Sequence, residues 1–332
     1  MKYPSLQKIK NIRVYTDYAF NTSETPYLDS VSYNGYTFYA HQKLSYKPKY
    51  LAQSLFIKPT ETYSDSLRNL TRNHLKSLKN FKAIRINFSE DSAESNKLNT
   101  DIFLTPNEKY SVGLDTELTH SNIREIGISG KFSVTDRNVF KGAELLKLSG
   151  LGSYFDSQNG IGWEVGADLS VEIPRFLAPF GFGKLVPKRM SPRTLFSIGT
   201  SIQKNIGLDR QTYSLLADYK WQFNKKKTIQ LEIFNTQYIR NLNVNNYFSV
   251  YSSELSDINT IAQSEKNDAS FSFPTNEAFS QQEQLNEITS YVNSLIENTT
   301  FQNSNPTAYD DLVNIKNRYN IITSDFLIPT IA

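Results

Sequence analysis

Between residues 110 and 238 the chain alternates apolar and polar residues in segments of about ten to twelve, joined by turn residues. Alternation of period two commits each segment to a strand with two chemically different faces. In 111–119, Val112, Leu114 and Leu118 oppose Gly113, Asp115 and Glu117. The next segment sets Ile126, Ile128, Phe132 and Val134 against Glu125, Gly127, Ser129, Lys131 and Ser133. Residues 144–155 are less regular, because Leu145 and Leu151 share a face with Lys147. The clearest case places Trp163, Val165, Ala167, Leu169, Val171 and Ile173 opposite Glu164, Gly166, Asp168, Ser170 and Glu172. Further strands follow around Phe196, Ile198 and Ile202, around Tyr213, Leu215, Ala217, Tyr219 and Trp221, and around Ile229, Leu231 and Ile233.

Soluble strands average five or six residues, whereas nine to eleven tilted residues cross a bilayer, so the segment length favours membrane strands. One set of faces is rich in Gly, Ser, Thr and acids, as a wet lumen requires, and the other is almost free of charge. A soluble antiparallel sandwich shows the same period with its apolar side turned inward, and it predicts that Ile128, Leu169 and Leu215 are sealed in a core. No run of about eighteen apolar residues occurs, which excludes a membrane-spanning helix but not a barrel. The aromatic content, Tyr 20 and Phe 21 against Trp 2, suits half-buried strands and interfacial belts.

Residues 1–109 read differently. NIRVYTDYAF is a strand, VSYNGYTFYA is a hairpin turning at Asn34-Gly35, and Pro48 opens a short helix carrying Leu51, Leu55 and Phe56 that Pro59 ends. Ser64 stands as N-cap of a second helix with Leu67, Leu70, Leu75 and Leu78 on one face, and AIRINFSE and TDIFLTP are two more strands. Beyond the alternating segments, 241–320 reads as a long polar loop rich in Asn, Ser and Gln, with one amphipathic helix at 281–297. DFLIPTIA is an eighth membrane strand that stops at the chain end, which suggests an incomplete chain. The fold class expected is thus an α+β module (1–109) followed by antiparallel transmembrane β-barrel strands (110–332), a partial barrel of about eight.

Catalytic chemistry finds little footing. His41, His74 and His120 are far apart and lack metal-type spacing, so they read as surface or helix-face histidines. Gly181-Phe182-Gly183-Lys184 is too short for a phosphate loop, and Asp168 with Glu172 reads as lumen acids rather than a catalytic pair. Lys225 to Lys227 and Asp136-Arg137-Asn138 read as turns. With no cysteine and a formal net charge of +3 spread along the chain, thiol chemistry is excluded and a nucleic-acid footprint is not evident. No enzyme activity, cofactor or metal is expected.

Several stretches together resemble a known family: KPKYLAQSLFIKPTETYSD leading into the long helix, GLDTELTHSNIREIGISGKFSVTDRNVFKGAELLKLSGLGSYF, IPRFLAPF, MSPRTLFSIGTSIQKNIGLDRQTY and FNTQYIRNLNVNNYF. Over nearly its whole length the chain resembles the BamA/TamA superfamily of outer-membrane assembly proteins, in particular the TamL-type members of Bacteroidetes. The resemblance implies a last POTRA module in the periplasm and the first half of an asymmetric barrel in the bacterial outer membrane. Its first strand, here 110–121 with Val112, Gly113, Leu114, Asp115 and Leu118, would pair loosely with the last and form a lateral seam. Upstream POTRA modules, the lid motif Val-Arg-Gly-Phe and a closing strand with a terminal aromatic are not among these 332 residues. Implied partners are outer-membrane lipid, unfolded outer-membrane protein clients and a TamB-like periplasmic protein. The module's pairing edge is either 84–90, with Ile84, Ile86 and Phe88, or 11–20. A passive pore or surface antigen of similar architecture is the alternative, and a secreted carbohydrate-binding sandwich a third.

Overall fold

The computed structural model describes residues 7–20, 25–94, 96–119, 126–156, 161–177, 186–204, 208–224 and 226–330. The chain is an α+β module followed by an eight-stranded antiparallel sheet, a partial barrel, with a helical insertion before the last strand.

The module opens with β1 (Lys8–Tyr15), followed by a hairpin of β2 (Asp29–Tyr33) and β3 (Tyr36–Ala40). Asn34 and Gly35 turn the hairpin with φ of 51° and 80°, the left-handed pair that matches strand twist in a two-residue turn. Helix α1 spans only Pro48–Leu51, and a 3-10 turn at Ala52–Ser54 follows. The short helix therefore ends before Leu55 and Phe56, contrary to the sequence pattern. From Leu55 the backbone is extended, which lets Leu55, Phe56 and Ile57 all be buried in succession. Helix α2 (Asp65–Ser77) begins after Ser64, whose backbone is extended as an N-cap requires, although its side chain makes no capping bond. Then come β4 (Phe81–Glu90) and β5 (Lys97–Pro106).

The module's sheet order is β2-β3-β1-β5-β4, with β1 parallel to both neighbours. Its core lies between the sheet and the helices, where Ile12, Val14, Phe38, Leu55, Leu75, Ile102 and Leu104 are buried.

The large sheet runs in chain order: β6 (Tyr110–Thr119), β7 (Ile126–Arg137), β8 (Leu145–Asp156), β9 (Gly162–Ile173), β10 (Arg193–Lys204), β11 (Arg210–Asn224), β12 (Lys227–Asn241) and β13 (Phe326–Thr330). Because β6 starts directly after β5, the β7–β8, β9–β10 and β11–β12 connections all lie at the module end. Asn224 turns the last of these, its Oδ1 accepting from the backbone N–H of Lys226 and of Lys227.

The expectation of a long polar loop at 241–320 is corrected. Asn241 ends β12, and the rest is a set of helices, α3 (Tyr247–Val250), α4 (Ser252–Lys266), α5 (Gln281–Ile296), α6 (Thr299–Ser304) and α7 (Pro306–Thr323). They share a second core of Tyr247, Phe248, Ile258, Leu285, Ile288, Val292, Leu312 and Ile315, which also takes Leu208 from the β10–β11 connection. Helix α5 coincides with the amphipathic stretch at 281–297 that the sequence shows within this segment. A full capping box starts it, Ser280 accepting from the N–H of Glu283 while the Glu283 carboxylate accepts from the N–H of Ser280. This insertion stands at the end of the sheet opposite the module.

Candidate functional site

The strand registers align the apolar residues into rows that run across the sheet. Val112, Val134, Leu148, Leu169, Ile198 and Leu215 pair in succession from β6 to β11. Two residues along, Leu114, Phe132, Gly150, Ala167, Thr200, Tyr213, Tyr238 and Leu327 cross all eight strands. The irregular strands are brought into line by local geometry. In β8, Leu146, Leu148 and Tyr154 face outward, while Leu145 and Leu151 turn to the other side with Lys147. In β12 the register skips Ile233, a bulge that brings Leu231 and Phe234 onto one face although their numbers differ in parity.

This outer face is bare. Ile128 is 53%, Leu169 40% and Leu215 46% exposed, and none belongs to either core. A soluble sandwich would bury them under a second layer, so that reading fails. A contiguous uncovered apolar surface of this breadth marks an interaction with lipid or protein.

The opposite face is polar. Gly113, Ser133, Ser149, Asp168, Gly199, Ser214 and Gln237 pair across it in succession. A cavity of about 320 Å³ lies against this face, lined in part by Lys131, Glu164, Asp168, Ser201 and Thr212. Gly166 belongs to it for a steric reason, since a Cβ there would stand 3.1 Å from the Thr200 carbonyl oxygen.

The sheet does not close among the described residues. Strand β6 pairs only with β7, and β13 only with β12. Each therefore presents a row of unpaired backbone N–H and C=O groups. The proposed seam residues Val112, Leu114 and Leu118 lie on the outer face of β6 and are exposed, Leu114 by 71%. Gly113 and Asp115 lie on its polar side. Strand β13 covers only Asn235–Ile239 of β12, so the start of β12 is open as well.

In the module, β4 is an edge, with Ile86 buried and Ile84 and Phe88 half-buried against the core. The alternative edge at 11–20 is corrected: β1 lies between β3 and β5 and has both sides paired, because its parallel partners arrive from distant parts of the chain. The second edge is β2, which sequence reasoning took only as half of a hairpin.

A contact that the sequence did not reveal fastens the module to the sheet. Glu144, 1% exposed, accepts from Arg175 at 2.5 Å and from the N–H of Gly142 at 2.8 Å, and the Arg175 guanidinium lies 4.1 Å from the Tyr50 ring centre. Asn80 donates to the Ala143 carbonyl, Asn138 to that of Ser45, and Lys188 to that of Leu55. Glu172 holds Arg193 and Lys79, so it serves this junction rather than a carboxylate pair with Asp168. Buried His74 contacts the Arg189 carbonyl at 3.2 Å through Nε2 and the Ser191 hydroxyl. Burial pushes its imidazole below the ordinary value. Between α2 and the module end of the polar face lies a cavity of about 890 Å³, with Asn73, His74, Arg193, Asp218 and Lys220 in its lining. The sequence feature that could have pointed to this junction is the stretch 174–193 between two alternating strands, which breaks the alternation with Pro174, Pro187 and Pro192 and carries Arg175, Lys188 and Arg189.

His41 stacks on Tyr27 at 4.1 Å, while His120, Gly181 to Lys184 and Lys225 lie outside the described residues. Asn138 adopts the left-handed conformation of a turn, φ 63°. Among the described residues no group of His, Asp and Glu could hold a metal ion, and no helix is long and apolar enough to cross a membrane.

No family model matches the chain, and neither does any curated protein. Among solved structures, BamA from Haemophilus ducreyi lacking POTRA domains 1–3 matches at 10% identity, covering 76% of this chain and 54% of that one with a TM-score of 0.44. CdiB from Acinetobacter baumannii matches at 10% identity over 70% and 46%, TM-score 0.28, and CdiB from Escherichia coli at 8% over 70% and 55%, TM-score 0.24. The chain spans about half the length of the solved proteins it matches.

Proposed function

We propose that this chain is part of an outer-membrane protein assembly or translocation factor of the BamA/TamA superfamily, of the TamL type, and that it works without enzymatic chemistry. The observation that carries this reading is an outer face whose central rows are free of charge, with Asp136, Lys204 and Arg240 only at the strand ends, and which ends at the bare edge of β6. Acyl chains cover the outer face, since a charge near the bilayer midplane would cost about 2–4 kcal/mol and the rows carry none. A bare backbone edge in hydrocarbon costs several kcal/mol per unsatisfied group, so an incoming client strand that pairs with β6 is drawn in by β-augmentation. The module acts as a periplasmic POTRA unit, with the edge of β4 available to a client or to a TamB-like partner.

The chain contains no cysteine, so single substitutions report cleanly. Thr116→Cys on β6 is expected to form a disulfide with an unfolded outer-membrane client bearing one cysteine in its terminal strand. Ser201→Cys, on the polar face in the middle of the sheet, is not. Equal capture at both positions ends the proposal. So does an inserted chain that conducts ions but captures no client, which is the behaviour of a passive pore.

A further inference from the structure

The charge of the molecule is divided along the strand direction. Residues 242–325, the helical insertion, hold eleven Asp and Glu against three Lys and Arg. The chain as a whole is nevertheless +3, so the rest is strongly cationic. At the module end the exposed cations Lys109, Lys141, Lys226 and Lys227 stand on turns of the large sheet. Of the nearby carboxylates, Glu144 is engaged by Arg175, Glu172 by Arg193 and Lys79, and Glu108 by Lys82, while Asp136, paired with Tyr110 across the sheet, lies within the field of Lys109. Exposed aromatics accompany the cations at the same level, Tyr110, Phe140 and Phe223, with the Lys109 ammonium 5.0 Å from the Tyr110 ring centre. Cations set beside aromatic rings at the rim of an apolar face match the headgroup and upper acyl zones of a bilayer.

We propose that this rim is a docking surface for an anionic bilayer leaflet. Phosphate headgroups lie against the four cations, and Tyr110, Phe140 and Phe223 enter the acyl boundary. The acidic insertion keeps the opposite end away from the same leaflet. Charge thereby selects which end faces anionic lipid. The inference rests on the bilayer reading of the outer face and adds to it a lipid class and an orientation.

The test offers the full chain, diluted from denaturant, to vesicles of phosphatidylcholine alone and to vesicles with part of that lipid replaced by phosphatidylglycerol. Uptake is read by flotation. A surface cation near an anionic leaflet is worth about fivefold in partition, so the phosphatidylglycerol vesicles take up the chain at least tenfold more strongly at low salt. The preference is expected to vanish near about 1 M salt, where screening reaches roughly 3 Å. Lys226→Glu with Lys227→Glu, at an exposed turn, is expected to erase most of the preference while leaving uptake by phosphatidylcholine and the far-ultraviolet spectrum unchanged. Uptake by both vesicles alike, or a preference that survives the charge reversal, overturns the lipid-docking rim and leaves the bilayer reading intact. Absence of uptake by either vesicle overturns both.

Discussion

Glu144 and His74 show how single side chains hold the module against the sheet, and they titrate in different windows. His74 stays neutral in its site because burial disfavours the cation and the Lys188 and Arg189 charges push the same way. When the junction opens, the solvated ring accepts a proton that the docked ring refuses. Docking is therefore expected to weaken as pH falls below about 6.5, the ordinary histidine value, toward the lowered one. Burial alone would raise Glu144, but bonds from Arg175 and from backbone N–H groups outweigh it and hold the carboxyl below its ordinary value. Its contribution is complete above the ordinary glutamate range and is lost as pH falls through the lowered value. Hydrogen exchange at Gly142, Ala143 and Asn80, followed against pH, should show both steps. His74→Gln is expected to remove the upper one alone. Glu144→Gln should remove the lower one and cost about 3 kcal/mol, as expected when one partner of a buried pair is lost. A single step, or one insensitive to both substitutions, would contradict this account.

Each strand of the large sheet separates two environments, and substitutions should follow the face rather than the residue type. Leu169→Arg on the outer face is expected to cost about 2–4 kcal/mol in refolding into lipid, and Ser170→Arg on the polar face under about 1 kcal/mol. Equal costs, measured by urea titration in vesicles, would mean that the outer face is not in hydrocarbon. The helical insertion has its own core, sharing no residue with that of the module. Leu312 is fully buried there, so Leu312→Ala should cost about 2–4 kcal/mol in the helices. Exchange in β7 to β9 should be unaffected, because distant sites without shared partners add independently. Faster exchange in those strands would show the insertion to be coupled to the sheet.

The molecule taken whole has a module at one end of the sheet, acidic helices at the other and an apolar surface between them. Its two tryptophans mark the limits of that surface: Trp163 near the insertion and Trp221 near the module, packed edge-on to Phe176. In vesicles of brominated lipid, the single-tryptophan variants Trp163→Phe and Trp221→Phe are both expected to be quenched. Bromines near the headgroups should act more strongly than bromines near the chain ends, since amphipathic rings settle at the interface. Quenching strongest at the bilayer centre for either residue would displace the strands from the depth inferred for them.

The large sheet was legible in the sequence because alternation is local: each residue's face follows from its neighbours two positions away, and even the irregular strand at 145–156 kept its place. The hairpin at Asn34-Gly35 was legible for the same reason. Other features had no local signature. The central position of β1 depends on parallel partners tens of residues away. The core of the insertion gathers apolar residues scattered from Tyr247 to Ile315 through a polar composition, of which only α5 has a clear stripe. Glu144 and Arg175 meet only because two turns and the module converge. Local periodicity therefore determined which face of each strand is apolar, whereas strand order, the helical insertion and the module junction were decided by contacts that exist only once distant segments have packed.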